Sequence, residues 1–185
     1  MKRLVLLLLV IILIPAESCR KIRDLANINI NIPYSTQVTI PAVYEDGVPI
    51  PFGGVNASIG PVAIATNSKQ YIQEYNTSPD KILHVKLKQL SLKLLSPEGE
   101  TLDFFDTVRV YISAEGQPEF LAAYYFGRPN GQDSIAMVCS DMNLKSYFLA
   151  DVMYFKLNAR FNRVPEPGTT LGIYSVFNML ANPLY

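Results

Sequence analysis

The sequence predicts an all-β fold: a single β-sandwich of roughly eight or nine strands with one or two short helices. Three observations carry that expectation. Apolar and polar residues take turns with a period of two in several stretches, most clearly from Val152 to Asn162. Turn signals such as Ser96-Pro97-Glu98-Gly99 and Asn130-Gly131 recur between those stretches. Long helical patterns are missing, while 11 Tyr and 9 Phe supply the aromatic bulk that suits strands.

The elements follow in order. Asn27 to Pro33 alternates strictly, with Ile28, Ile30 and Ile32 on one face, and Pro33 ends the strand. Val38 and Ile40 begin a second strand, stopped by Pro41. Glu45 to Gly54 is a Pro/Gly loop that carries Ile50 and Phe52. Those two side chains are either a binding tip or a plug on the end of the sandwich. Val62 to Ala65 is a short strand. Asn67 or Ser68 caps a short helix with Tyr71, Ile72 and Tyr75 on one face, ended before Pro79.

Residues 82 to 113 decide between a cationic amphipathic helix and strands. A helix puts Leu87, Leu90 and Leu94 together but leaves Val85 and Leu92 off that face. A strand puts Leu83, Val85 and Leu87 on one parity and Leu90, Leu92 and Leu94 on the other. One phase slip near Lys88-Gln89 separates them, which a β-bulge or a strand passing between sheets produces. Ser96 to Gly99 then turns the chain, Asp103 to Thr107 makes a helical turn over the sandwich edge, and Val108, Val110 and Ile112 alternate with Arg109, Tyr111 and Ser113. Phe120 to Phe126 is the next strand, and Ile135 to Cys139 an interior one. Asp141 opens a short helix towards Phe148. Met153, Phe155, Leu157, Ala159 and Phe161 then face in, with Tyr154, Lys156, Asn158, Arg160 and Asn162 facing out. Leu171 to Leu180 is apolar on both faces, hence a central strand.

The N-terminus has its own logic. Lys2 and Arg3 precede an apolar run from Leu4 to Ile14, ended by Pro15 and followed by small residues. That layout is a secretory signal, residues 1–18. The run falls short of the roughly 20 residues a spanning helix needs, which disfavours an uncleaved anchor. Cys19 follows Ala16-Glu17-Ser18 and is read as the lipidated first residue of the mature protein, with 19–26 as tether and 27–185 as the sandwich domain. Simple secretion is the other reading, and it leaves a Cys19–Cys139 disulfide open. Acyl chains on Cys19 make the membrane the first partner.

Charge is balanced, 16 basic against 16 acidic residues, which argues against nucleic acid as a partner. The single histidine, His84, has no Gly-x-Ser-x-Gly elbow to serve. No sequence pattern for a metal or cofactor is present. Carboxylates concentrate at Glu98, Glu100, Asp103, Asp106, Glu115 and Glu119, mostly on turns. Asn56-Ala-Ser and Asn76-Thr-Ser fit the glycosylation sequon, which has meaning only in a eukaryotic secreted protein.

The order Ile82-Leu-x-Val-Lys-Leu-Lys, Ser-Pro-Glu-Gly, Leu102-Asp-Phe-Phe, Val108-Arg-Val-Tyr-Ile-Ser-Ala-Glu-Gly and Leu121-Ala-Ala resembles a group of small Bacteroidetes lipoproteins with an immunoglobulin-like β-sandwich. The resemblance implies that fold subtype and supports lipid on Cys19. It supplies no activity and no catalytic residue. The acidic export signal often found after such a cysteine is absent, with Arg20, Lys21 and Arg23 in its place. That implies an outer-membrane lipoprotein facing the periplasm. Two functions are then expected. One is a non-enzymatic sandwich that binds a protein or glycan or serves an envelope complex, with Tyr111, Tyr154, Ile50, Phe52 and Tyr124 or Tyr125 as contact residues. The alternative is a carbohydrate-active enzyme using acids from Glu98 to Asp106.

Overall fold

The structure, a computed structural model, describes residues 26–41 and 50–184. Its strands are β1 Ile28–Thr39, β2 Val55–Ala65, β3 Ile82–Ser96, β4 Phe105–Ala114, β5 Gln117–Phe126, β6 Ser134–Ala136, β7 Val138–Cys139, β8 Val152–Phe161 and β9 Thr170–Ala181. Two short helices, α1 Ser68–Glu74 and α2 Lys145–Leu149, sit between them. One sheet has the order β1-β9-β3-β6 and the other β2-β8-β4-β5-β7. The all-β sandwich that the periodicity predicts is therefore what the chain builds.

The connectivity is that of one long ribbon folded on itself. β1 pairs with β9, β2 with β8, β3 with β6 and β4 with β5, all antiparallel. Winding the ribbon brings β9 against β3 and β8 against β4, which closes each sheet. The layering is immunoglobulin-like, two sheets face to face, and the winding is a jelly roll.

Alternation explains why these segments are strands. On β8 the odd residues Met153 to Phe161 are all buried and face the other sheet. Phe155 of β8 stacks on Phe177 of β9 with ring centroids 6.5 Å apart, so the two sheets meet through aromatic rings. Phe104, Phe105 and Phe161 form a second cluster near one end, with Phe105 and Phe161 5.1 Å apart. Each such ring contributes about 1.5–3 kcal/mol by leaving water.

β3 is one continuous strand, as the periodicity predicts, and the phase slip is a bulge. Leu87 lies opposite Phe177 and Gln89 opposite Val176, which leaves Lys88 as the extra residue. Two further slips free Leu83 and Leu95 in the same way. Leu83 is therefore half-exposed, and Ile82 takes the buried place expected for it.

Other expectations need correcting. β1 runs straight through Pro33, so two expected strands are one; β1 is an edge strand, where a missing N–H is tolerated. β2 begins at Val55 and absorbs a register shift between Ile59 and Val62. Ile135 to Cys139 is no interior strand. It splits into β6 and β7, which close the edges of different sheets. Asn67 precedes α1 in a left-handed conformation without a side-chain cap, and Ser68 is buried. Asp141 does not open α2. It pairs with Lys86 at 2.6 Å, and Asn143 instead accepts the Lys145 N–H at 3.1 Å. The helical turn expected near Asp103 is Leu102–Phe104. It places Leu102 and Phe104 in the core. α2 packs against β3, β4 and β8: Tyr147 and Phe148 are buried, and the Tyr147 hydroxyl donates to the Pro118 carbonyl at 2.8 Å.

Candidate outer-face binding site

The two outer faces of the sandwich differ in chemistry. On the four-stranded sheet, Asn178 of β9 donates to Asn29 and Asn31 of β1, a polar amide ladder. Ser35 and Ser91 flank Tyr174 from the two neighbouring strands. On the five-stranded sheet, β4 turns Thr107, Arg109, Tyr111 and Ser113 outward, because Val108, Val110 and Ile112 are needed in the core. β8 likewise presents Tyr154, Lys156, Asn158 and Arg160.

Register brings these side chains together. Tyr111 lies opposite Lys156, whose ammonium sits 5.6 Å from the ring centroid, and Tyr154 is the next outward residue along β8. Lys156 also pairs with Glu119. On the other side, Leu121 lies opposite Tyr111, Tyr124 opposite Arg109 and Phe126 opposite Thr107. The Arg109 guanidinium stands 5.5 Å over the Phe126 ring, and the Tyr124 and Phe126 rings are 5.0 Å apart. Val138 of β7 continues the row beyond Tyr124. Phe126 is 57% exposed, Val138 55% and Tyr154 38%, with Tyr111 and Tyr124 half-buried between them, so a mixed aromatic and apolar field faces water.

Tyr111 and Tyr154, expected as contact residues, do share this face. Between Tyr124 and Tyr125, Tyr124 is the outward one, while Tyr125 packs against the core. Phe126, Val138, Arg109 and Arg160 were missing from the sequence-derived set. The bulge at Ala122 hid the parity of β5, and nothing in the sequence says that β7 extends this sheet.

A groove of about 340 Å³ adjoins the aromatic field, lined by Asn56, Ser58, Thr107, Arg109, Asn158 and Arg160 together with Ala57 and Ala159. It crosses three strands, because Arg109 lies opposite Asn158, Arg160 opposite both Asn56 and Thr107, and Ser58 opposite Asn158.

Ile50 and Phe52 part company. Ile50 packs against the core, as the plug reading has it, while Phe52 is fully exposed on a turn closed by a 2.9 Å bond from the Gly54 N–H to the Pro51 carbonyl. Arg160 donates to the Gly53 carbonyl and pins that turn. The chain enters β1 at Ile28 beside Ala181 and reaches its other end at Thr39 beside Thr170. The twelve residues of β1, about 40 Å long, separate the two ends. Cys19 lies outside the described residues, and so do the signal and tether but for Ala26.

Three of the acids expected for catalysis are engaged in local bonds. Asp103 accepts the Gly131 N–H at 2.9 Å and stabilises the turn at Asn130-Gly131. Asp106 accepts from Asn162 at 2.8 Å and Arg128 at 3.2 Å. Those bonds hold its carboxyl below the usual carboxylate range, the Asn162 bond first. Glu100 pairs with Arg163 at 3.2 Å. His84 sits on β3 opposite Leu180, remote from these acids along the strand. Cys139 is half-buried, and burial pushes its thiol up. Among the described residues no group of three or more His, Cys, Asp or Glu is placed to hold a metal ion. No described helix is long and apolar enough to cross a membrane.

No family model and no curated protein matches the chain. Among solved structures, the chain is similar to a desmodium yellow mottle tymovirus protein at 13% identity and TM-score 0.26, covering 84% of this chain and 89% of that one. A turnip yellow mosaic virus protein matches at 14% identity and TM-score 0.29, covering 85% and 82%. An arabinose-bound α-L-arabinofuranosidase matches at 9% identity and TM-score 0.29 over 81% of this chain and 23% of that one. TM-scores this low carry no argument about function.

Proposed function

We propose that this protein is a lipoprotein of the bacterial envelope, anchored through Cys19, whose sandwich is a non-enzymatic binding module. The binding surface is the outer face of the five-stranded sheet. One observation carries this reading: Tyr111, Tyr124, Tyr154, Phe126 and Val138 share that face with Arg109 and Lys156, while the opposite outer face presents amides, hydroxyls and lysines around Tyr174. Tyr and Arg are the residue types that concentrate binding energy at interfaces. Signal-like residues 1–18, the cysteine after them and the resemblance to small Bacteroidetes lipoproteins support the anchor. The basic residues Arg20, Lys21 and Arg23 support a periplasm-facing position.

Two measurements test the reading. Mass spectrometry of the mature N-terminus should find acylated Cys19 and no residue before it; a free thiol there removes the anchor. Photo-crosslinking groups placed at Tyr154 and Phe126 in intact cells should capture an envelope component that the same groups at Gln37 and Tyr174 do not. Equal capture from both faces, or none from the first, refutes the assigned surface.

A further inference from the structure

We propose that the groove beside the aromatic field binds an acidic glycan, with Arg109 and Arg160 taking its carboxylate, sulfate or phosphate. This deepens the reading of the five-stranded face as the binding surface and is independent of the lipid anchor. Arg109 and Arg160 are both exposed, on neighbouring strands, and diagonal to one another on one face. Among the described residues no carboxylate lines the groove. Among them, too, neither guanidinium has an ion-pair partner, although every one of the six ion pairs formed elsewhere uses a Lys or Arg. Asp106 feels Arg160 at longer range, but its own bonds go to Asn162 and Arg128.

Two like charges on one face, with only the longer-range Asp106 carboxylate near one of them, repel, and an oxyanion between them removes the repulsion. Each guanidinium is already oriented, Arg109 over the Phe126 ring and Arg160 by its bond to the Gly53 carbonyl. Each keeps N–H donors to spare for a planar or tetrahedral anion. The rest of the lining and the rings beside it decide the class of ligand. Asn56, Asn158, Ser58 and Thr107 offer acceptors as well as donors. The oxyanion needs donors only, so these acceptors serve the uncharged part of the ligand, sugar hydroxyls or peptide N–H groups alike, and the neighbouring rings are what favour a sugar. The exposed Phe126 ring and the half-buried Tyr124 ring next to Arg109 add flat apolar surface for the C–H face of a sugar ring.

The test is titration of the mature chain with a galacturonate hexamer, a heparin hexasaccharide, maltohexaose and hexaglutamate, read by calorimetry and by NMR shifts. At least one acidic glycan should bind, more weakly as salt rises. Maltohexaose and hexaglutamate should bind at least tenfold more weakly. Arg109→Gln should weaken the glycan roughly tenfold. Arg160 also holds a turn, so Arg160→Lys and Asn158→Ala supply second variants, with melting curves to show that they fold. Hexaglutamate binding as tightly as the best glycan overturns the proposal in favour of an acidic peptide. So does equal binding of maltohexaose, binding that Arg109→Gln leaves unchanged, or no binding at all. Glycan binding without crosslinks in cells would sink the cellular role and keep this site; crosslinks without glycan binding would do the reverse.

Discussion

At Gly54 the backbone leaves no choice of residue. Its φ is +81°, and a Cβ there would lie 2.6 Å from the Phe161 carbonyl oxygen and 3.1 Å from Arg160. Gly54→Ala should cost about 2–3 kcal/mol, since left-handed strain and a clash with backbone add together. Gly116 sets the comparison: its φ is also positive, but a Cβ there would meet nothing within 4 Å, so Gly116→Ala should cost only about 1 kcal/mol. Denaturant titration checks both. Asp106 supplies a pH test. Its carboxyl is lowered by Asn162 and Arg128, so its contribution is full above the ordinary value of about 3.9 and is lost as pH falls through its lower folded value. The wild type should therefore lose stability below about pH 4 more steeply than Asp106→Asn, which has no such contribution to lose. Equal acid slopes would show that the two bonds do not stabilise the charged form. On the proposed binding face, Phe126→Ser removes exposed surface, so stability should move by less than about 0.5 kcal/mol while crosslinking falls.

Among the elements, β3 shows how strictly side-chain parity is enforced. Lys88 is the residue that β9 does not match, and it switches the inward set from Val85 and Leu87 to Leu90, Leu92 and Leu94. Deleting Lys88 would send one of those sets to solvent, so the deletion should abolish cooperative unfolding by near-ultraviolet circular dichroism, whereas Lys88→Ala should be nearly silent. The slip was legible in the sequence because the leucines themselves change parity, but only the pairing with β9 shows a bulge in place of a passage between sheets. The continuity of β1 through Pro33 was not, since proline stops a central strand but not an edge strand, and edge position is a tertiary property. The division of Ile135 to Cys139 between two sheets was hidden for the same reason: five residues are too few to show a period. α2 was placed too early because Asp141 resembles a cap, yet the nearby Lys86 ammonium claims it.

The whole molecule depends on strand β9, which lies between β1 and β3 although it is last in sequence. Removing residues 170–185 would uncouple the four-stranded sheet and expose Phe155, Leu92 and Ile32. The shortened chain should be unfolded by far-ultraviolet circular dichroism and sensitive to protease, whereas removal of Leu184 and Tyr185 alone should be tolerated. The pairing of β1 with β9 also joins residues about 150 positions apart, for example Asn29 with Leu180, so folding should be slow, in the millisecond-to-second range by stopped flow. Local patterning was enough to specify most strands, most of their inward faces, the change of parity in β3 and the centrality of β9, because a two-residue period and a doubly apolar strand are written in neighbouring residues. It also singled out Tyr111 and Tyr154. The jelly-roll winding and the meeting of Arg109, Arg160, Tyr124, Phe126 and Val138 came from the folded chain alone. Those residues become neighbours through cross-strand register between segments far apart in the chain, and register is set by how two apolar faces fit, which no local pattern records.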